Sequence, residues 1–183
     1  MFTTRSFWLA ALLGLVALSP GAATQAADKD REITLGKLKL TAPAGWTKKE
    51  PRVRIIAYEF TAPAAGEDKI DGRCTIMAAG GSIDANIKRW YGQFSQPDGG
   101  NTEKRAKVEK TKAAGRQIHF VSVTGSYQDR RGPFAPAVTR PDYRMLSAII
   151  EAGDANYFVK LIGPKRTVDA HEKAFKSMIK GLR

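Results

Sequence analysis

The sequence predicts an α+β domain in which helices pack on an antiparallel sheet, and three stretches carry that expectation. In Met145–Leu182, two apolar runs (Leu146–Ile150 and Tyr157–Ile162) flank a polar Gly153-Asp154-Ala155-Asn156 connection, the composition of a β-hairpin that then runs into a helix. Ile83, Ile87, Trp90, Tyr91 and Phe94 recur at helical spacing behind a strand-like segment, so one helix face must be buried on a sheet. Arg116–Gly125 is apolar on both sides (Ile118, Phe120, Val121, Val123), as expected of a strand covered on both faces.

The first residues stand apart from this domain. Arg5 is the only charge before Asp28, and Phe7–Leu18 is an apolar run of 12 residues, short of the roughly 18–20 that cross a bilayer as a helix. Pro20-Gly21 and the small residues Ala22–Ala27 complete the order of a secretory signal peptide over residues 1–26, cleaved after Ala26 or alternatively after Ala23. A retained anchor helix is the competing reading. The expectation is therefore a single domain over 27–183, periplasmic or secreted.

Within the domain, Ile33–Thr41 reads as a first strand with a bulge at Gly36, and Pro43-Ala44-Gly45-Trp46 as a turn that returns an aromatic anchor to the core. Arg54–Thr61 and Arg73–Ala79 read as strands separated by the loop Pro63–Asp71. Gly80-Gly81 ends the latter, and Ser82 caps the helix that begins at Ile83. Lys104–Lys112 has the charge of a protected edge strand. After the closing hairpin, Gly163-Pro164 stops the strand and Thr167 is the expected cap of a helix with Val168, His171, Phe175, Met178, Ile179 and Leu182 inward.

Lys and Arg number 30 against 18 Asp and Glu, a formal net charge of +12. Such a surface is drawn to anionic partners: lipid headgroups, acidic proteins or nucleic acid, although no specific nucleic-acid motif is present. Cys74 is the only cysteine, so no intrachain disulfide forms, and its place in Cys74-Thr75-Ile76-Met77 predicts a buried apolar role. His119 and His171 stand in no nucleophile or metal register and are expected to be structural. Glu67, Asp68 and Asp71 lack the spacing of a calcium loop and read as solvated charge. Gly80-Gly81-Ser82 reads as a strand-to-helix turn rather than a phosphate cradle, and Lys165-Arg166 as solvent-facing. The sequence thus predicts no enzyme, cofactor or metal centre.

Gln128–Arg144 contains three prolines and four arginines without a regular period, and it is expected to be a long functional loop. Arg130, Arg131, Arg140 and Arg144 offer guanidinium forks suited to phosphate or carboxylate, while Phe134 and Tyr143 add apolar or stacking contact. These six residues form the candidate binding surface. A solubilising loop that binds nothing, or an enzyme site beneath the loop, are the alternatives.

Pro43-x-Gly45-Trp46 after the first strand, the helix Ile83–Phe94, and the Tyr157-Phe158-x-x-Leu161 strand followed by a helix through Phe175 resemble the PsbP-like/Mog-like superfamily over residues 33–182. The resemblance implies a three-layer α/β/α sandwich around an antiparallel sheet of about seven strands. It also implies a noncatalytic accessory protein that docks on a larger partner; with the signal peptide and the basic charge, the expectation is an exported protein docking on an envelope partner or acidic surface. It implies neither photosystem nor Ran binding, because no residue of either surface matches.

Overall fold

The structure is a computed structural model that describes residues 31–130, 136–153 and 155–183. The expected signal peptide and the candidate residues Arg131 and Phe134 lie outside these residues. Among the described residues the strands are β1 (Glu32–Leu35), β2 (Leu38–Thr41), β3 (Thr47–Lys49), β4 (Tyr58–Ala62), β5 (Gly72–Ala79), β6 (Phe94–Ser95), β7 (Lys107–Ala113), β8 (Arg116–Asp129), β9 (Val138–Glu151) and β10 (Asn156–Pro164). The helices are α1 (Ile83–Tyr91), the single turn α2 (Thr102–Arg105) and α3 (Lys165–Lys180). No described helix is long and apolar enough to cross a membrane.

Eight strands form one antiparallel sheet in the order β3-β4-β5-β10-β9-β8-β6, with β7 also paired to β8, and β1-β2 form a separate hairpin. The closing hairpin read from the sequence is the middle of this sheet, β9 and β10. Alternation along the strands divides the core in two. Phe60, Cys74, Ile76, Leu146, Val159 and Leu161 pack with Ile33 and Leu40 of the small hairpin and with Phe175, Met178 and Ile179 of α3. Val121, Val123, Met145, Ile149, Phe158 and Ile162 pack with Ile87 and Trp90 of α1 and with Phe94. Cys74 is fully buried, and that burial pushes its thiol pKa far up, as its predicted apolar role requires.

The structure corrects the sequence reading in several places. Ile33–Thr41 is two strands, because Gly36 takes φ 61° and turns the chain back on itself. It therefore leaves the main sheet, whose eight strands exceed the expected seven because the short β3 and β6 carried no pattern of their own. Residues 51–57 are a turn rather than the start of a strand: β3 pairs with β4 only through Thr47–Lys49, so Arg52–Ile55 alternates without a partner to alternate against. The expected edge strand starts at Lys107, because Asn101 accepts a hydrogen bond from the Lys104 amide and starts the α2 turn. Phe94 lies beyond α1, in β6.

The largest correction concerns the two ends of Gln128–Arg144, since Gln128–Asp129 and Val138–Arg144 are paired strand. β8 runs to Asp129 and β9 begins at Val138, with Tyr127 opposite Arg140 and Asp129 opposite Val138. Pro141 is tolerated because it falls at an irregularity between Gly125 and Tyr127, where the ladder skips and no amide is required. Gly125 is needed there: it has φ 143°, and a Cβ would lie 2.6 Å from the Ser95 carbonyl oxygen.

The cap of α3 also differs. The helix begins at Lys165 with no capping side chain of its own. Asp68 supplies the cap from 99 residues away: its Oδ2 accepts from the Thr167 amide at 2.9 Å and from Thr167 Oγ1 at 2.7 Å. Thr167 Oγ1 in turn accepts from the Ala65 amide at 3.1 Å. The other acids of this loop are also engaged, Asp71 with the Ala64 amide (2.8 Å) and Glu67 with Arg166 (3.3 Å). Of the cluster read as solvated charge, Glu67 and Asp71 are exposed as expected, while Asp68 clamps the helix start. Asp68→Ala should cost about 1–2 kcal/mol in urea unfolding, the range of a lost N-cap, and Asp68→Asn less. A variant as stable as the parent would show that the clamp contributes nothing.

Candidate functional site

Of the six residues singled out from the sequence, the four that the structure describes do not share one face. Arg130 is exposed at the end of β8. Arg140 faces Asp129 across the hairpin at 3.4 Å, which neutralises it in part. Tyr143 lies on the α1 side, stacked on Tyr127 with ring centroids 6.1 Å apart. Arg144, one residue on, points to the α3 side, because successive strand residues face opposite ways. Its Nη1 donates to Asp169 Oδ1 and Glu172 Oε2, each at 2.7 Å, and its Nε donates to Ser122 Oγ at 3.1 Å. With its side chain only 12% exposed, it is committed to the fold.

Arg144 lies in a cleft of about 470 Å³ between α3 and the β7-β8-β9 face. Lys165 pairs with Asp169 at 2.6 Å, and Lys176 with Glu172 at 3.0 Å and Glu109 at 3.4 Å. In Glu172, hydrogen bonding from Arg144 lowers the pKa against the opposing effect of burial. In Asp169, burial acts to raise the pKa, and the hydrogen bonds from Lys165 and Arg144 outweigh it. Five cations (Arg105, Lys107, Arg144, Lys165 and Lys176) and three carboxylates (Glu109, Asp169 and Glu172) line the cleft, and an incoming anion would compete with the carboxylates already paired to Arg144, Lys165 and Lys176. The cleft is a clasp between helix and sheet.

The histidines are likewise structural. His119 is buried with Nε2 2.6 Å from Glu151 Oε1. His171 receives the Trp46 indole N–H at 3.1 Å on Nδ1, and its Nε2 lies 2.9 Å from the Pro63 carbonyl oxygen. This ties the Gly45-Trp46 turn to α3.

An unsatisfied surface appears elsewhere, where β3 ends the sheet. All three of its residues are exposed, and β4 is its partner among the described residues. The turn that follows presents Val53 at 49% and Ile55 at 66% exposure, two of the large apolar side chains left open to solvent. Lys48, Lys49, Arg52 and Arg54 neighbour them in the sequence and are all exposed, with Glu50 as the one carboxylate in that run. Lys48 Nζ stands 5.8 Å above the Tyr58 ring, which directs that ammonium along the β3–β4 surface. Arg54 and Ile55 fall in the segment Arg54–Thr61 that the sequence predicts as strand, whereas Arg52 and Val53 precede it; the structure places all four before β4. The signal that separates the two readings is Pro51, which fixes the backbone immediately before it.

Among the described residues the fold is that of a basic α+β protein whose sheet has cationic edges at β3 and at β7. Two solved structures resemble it along most of the chain. One is a Pseudomonas aeruginosa protein of unknown function (16% identity, TM-score 0.45, covering 82% of this chain and 93% of the other). The second is the cyanobacterial PsbP, CyanoP, of Synechocystis sp. PCC 6803 (9% identity, TM-score 0.49, covering 83% of this chain and 90% of the other). No protein-family profile and no curated protein matches the sequence.

Proposed function

We propose that this chain is an exported, noncatalytic accessory protein that adsorbs to an anionic lipid surface through its β3–β4 edge. The fold is read as a PsbP-like α/β/α sandwich, with α3 and the β1–β2 hairpin on one side of the sheet and α1 on the other. The observation that carries the proposal is the pairing of two exposed aliphatic side chains, Val53 and Ile55, with four flanking cations.

Each of those cations near an anionic bilayer contributes about 1 kcal/mol, and Glu50 offsets part of the sum. Inserting two aliphatic side chains adds about 2–4 kcal/mol, given that each is already half-covered by the protein. The total suits reversible adsorption. It does not suit a stable protein–protein interface, which needs about 1,200–2,000 Å² of buried surface with an apolar centre.

Co-sedimentation with phosphatidylglycerol-containing and purely phosphatidylcholine vesicles tests this reading. The protein should bind only the anionic vesicles, and binding should fall several-fold between low and high salt. A Val53→Ser, Ile55→Ser double variant and an Arg52→Gln, Arg54→Gln double variant should each bind at least tenfold more weakly. Equal binding by parent and variants, or capture by an acidic envelope protein with no affinity for vesicles, would overturn the lipid reading.

A further inference from the structure

A second feature lies on the other side of the sheet, under α1. The strand register aligns Glu59 of β4, Thr75 of β5, Lys160 of β10 and Ser147 of β9 as one row across four neighbouring strands. Phe158 and Ile162, two residues either side of Lys160, belong to the core that α1 covers, so the whole row faces that helix. A lysine at the centre of a sheet and a serine beside it are costly unless each finds a partner.

Neither does. Ser147 is 0% exposed, and its Oγ has no hydrogen-bond partner. The charges that bear on Lys160 are Arg73 and Arg89, both of its own sign. Glu59, the carboxylate of the row, gives both oxygens to Arg73, at 2.9 Å from Nε and 2.7 Å from Nη2. Arg89 donates to the neutral side chain of Asn86. Lys160 therefore stands without a carboxylate of its own, while Arg73 is held by Glu59 and also feels Asp129. Burial first, and then the repulsion of Arg73 and Arg89, lower the Lys160 ammonium to about 8. Lys160 is largely buried and keeps only a small part of its surface open.

We infer that the α1 side of the sheet carries a binding site for a small oxyanion of the carboxylate or phosphate class, with Lys160 as its central cation. Arg73 and Arg89 flank the anion, and the Ser147 and Thr75 hydroxyls donate to its oxygens from either side of Lys160. A bound oxyanion neutralises the like-charge cluster and gives Ser147 its missing partner. This site is separate from the β3–β4 edge in residues and in test.

Two measurements decide it. The Lys160 side-chain NζH₃⁺ signal should shift on titration with inorganic phosphate or acetate, while sodium chloride at matched ionic strength leaves it in place. Millimolar phosphate should raise the parent's melting temperature by several degrees. Lys160→Met should lose that rise and Ser147→Ala should reduce it, whereas Lys112→Met, on the exposed β7 edge, should retain it. The methionine removes a largely buried, unpaired charge and keeps an unbranched apolar stem, so the variant should fold, and the titration of the parent needs no variant at all. Equal stabilisation of the parent and Lys160→Met, or an ammonium signal that neither oxyanion moves, would overturn the assignment. Shifts with phosphate but not acetate would restrict the class to phosphates.

Discussion

Trp90→Ala should destabilise the protein by about 3–5 kcal/mol, the range for emptying a large aromatic from a packed core. Trp90 is 4% exposed on the inner face of α1, and its ring meets Phe158 edge to face with centroids 5.3 Å apart. α1 is a helix of 9 residues, too short to persist without its packing, so its stability comes from Ile87 and Trp90. The cavity should therefore loosen the whole helix as well as the site of substitution. Urea unfolding should show the loss, and amide exchange should accelerate throughout Ile83–Tyr91. If exchange speeds up only beside Trp90, the helix is held by contacts other than these. Trp90→Phe, which keeps the edge-to-face partner, should recover more than half of the stability.

Arg144→Ala should cost about 2–3 kcal/mol at neutral pH. Removing one partner of a buried ion pair costs about 3–5 kcal/mol, and the lower figure applies because Asp169 and Glu172 are about one-third exposed (38% and 32%) and keep Lys165 and Lys176. The cost should depend on pH in a definite direction. Both carboxylates have lowered pKa values in the folded state, so the unfolded chain binds more protons as the pH falls. Their stabilisation is complete above the ordinary carboxylate pKa of about 4 and is lost as the pH falls through the folded values. The gap between parent and variant should therefore be widest at pH 7 and narrow below about pH 4. A gap that is unchanged at pH 3 would mean that Arg144 acts through packing of its stem and not through its charge.

The same residue shows where sequence reading stops. Arg144 was chosen for its guanidinium, and the chemistry was right: it does hold carboxylates by charge-assisted hydrogen bonds. The carboxylates are the protein's own, 25 and 28 residues further along the chain. Asp68 fails in the opposite direction, since it has no local register yet caps a helix 99 residues away. Lys160 was passed over inside Tyr157–Ile162 because a single charge does not interrupt an apolar run. The available signal was that a strand apolar on both sides leaves a lysine no solvent face to turn to.

What the sequence by itself determined is local and periodic. Helical spacing placed α1 and α3 and their buried faces, Ser82 marked the start of α1, and the two apolar runs gave the β9–β10 hairpin. Each of these follows from side-chain periods of 3.6 or 2 within a few residues. Only the tertiary structure decided which strand neighbours which, that Gln128–Asp129 and Val138–Arg144 are paired strand, that Arg52–Ile55 is a turn, and which charges are already paired. Those outcomes depend on register between segments tens of residues apart. A shift of one residue would exchange the Arg144 and Tyr143 faces, and no pattern within either segment records that choice.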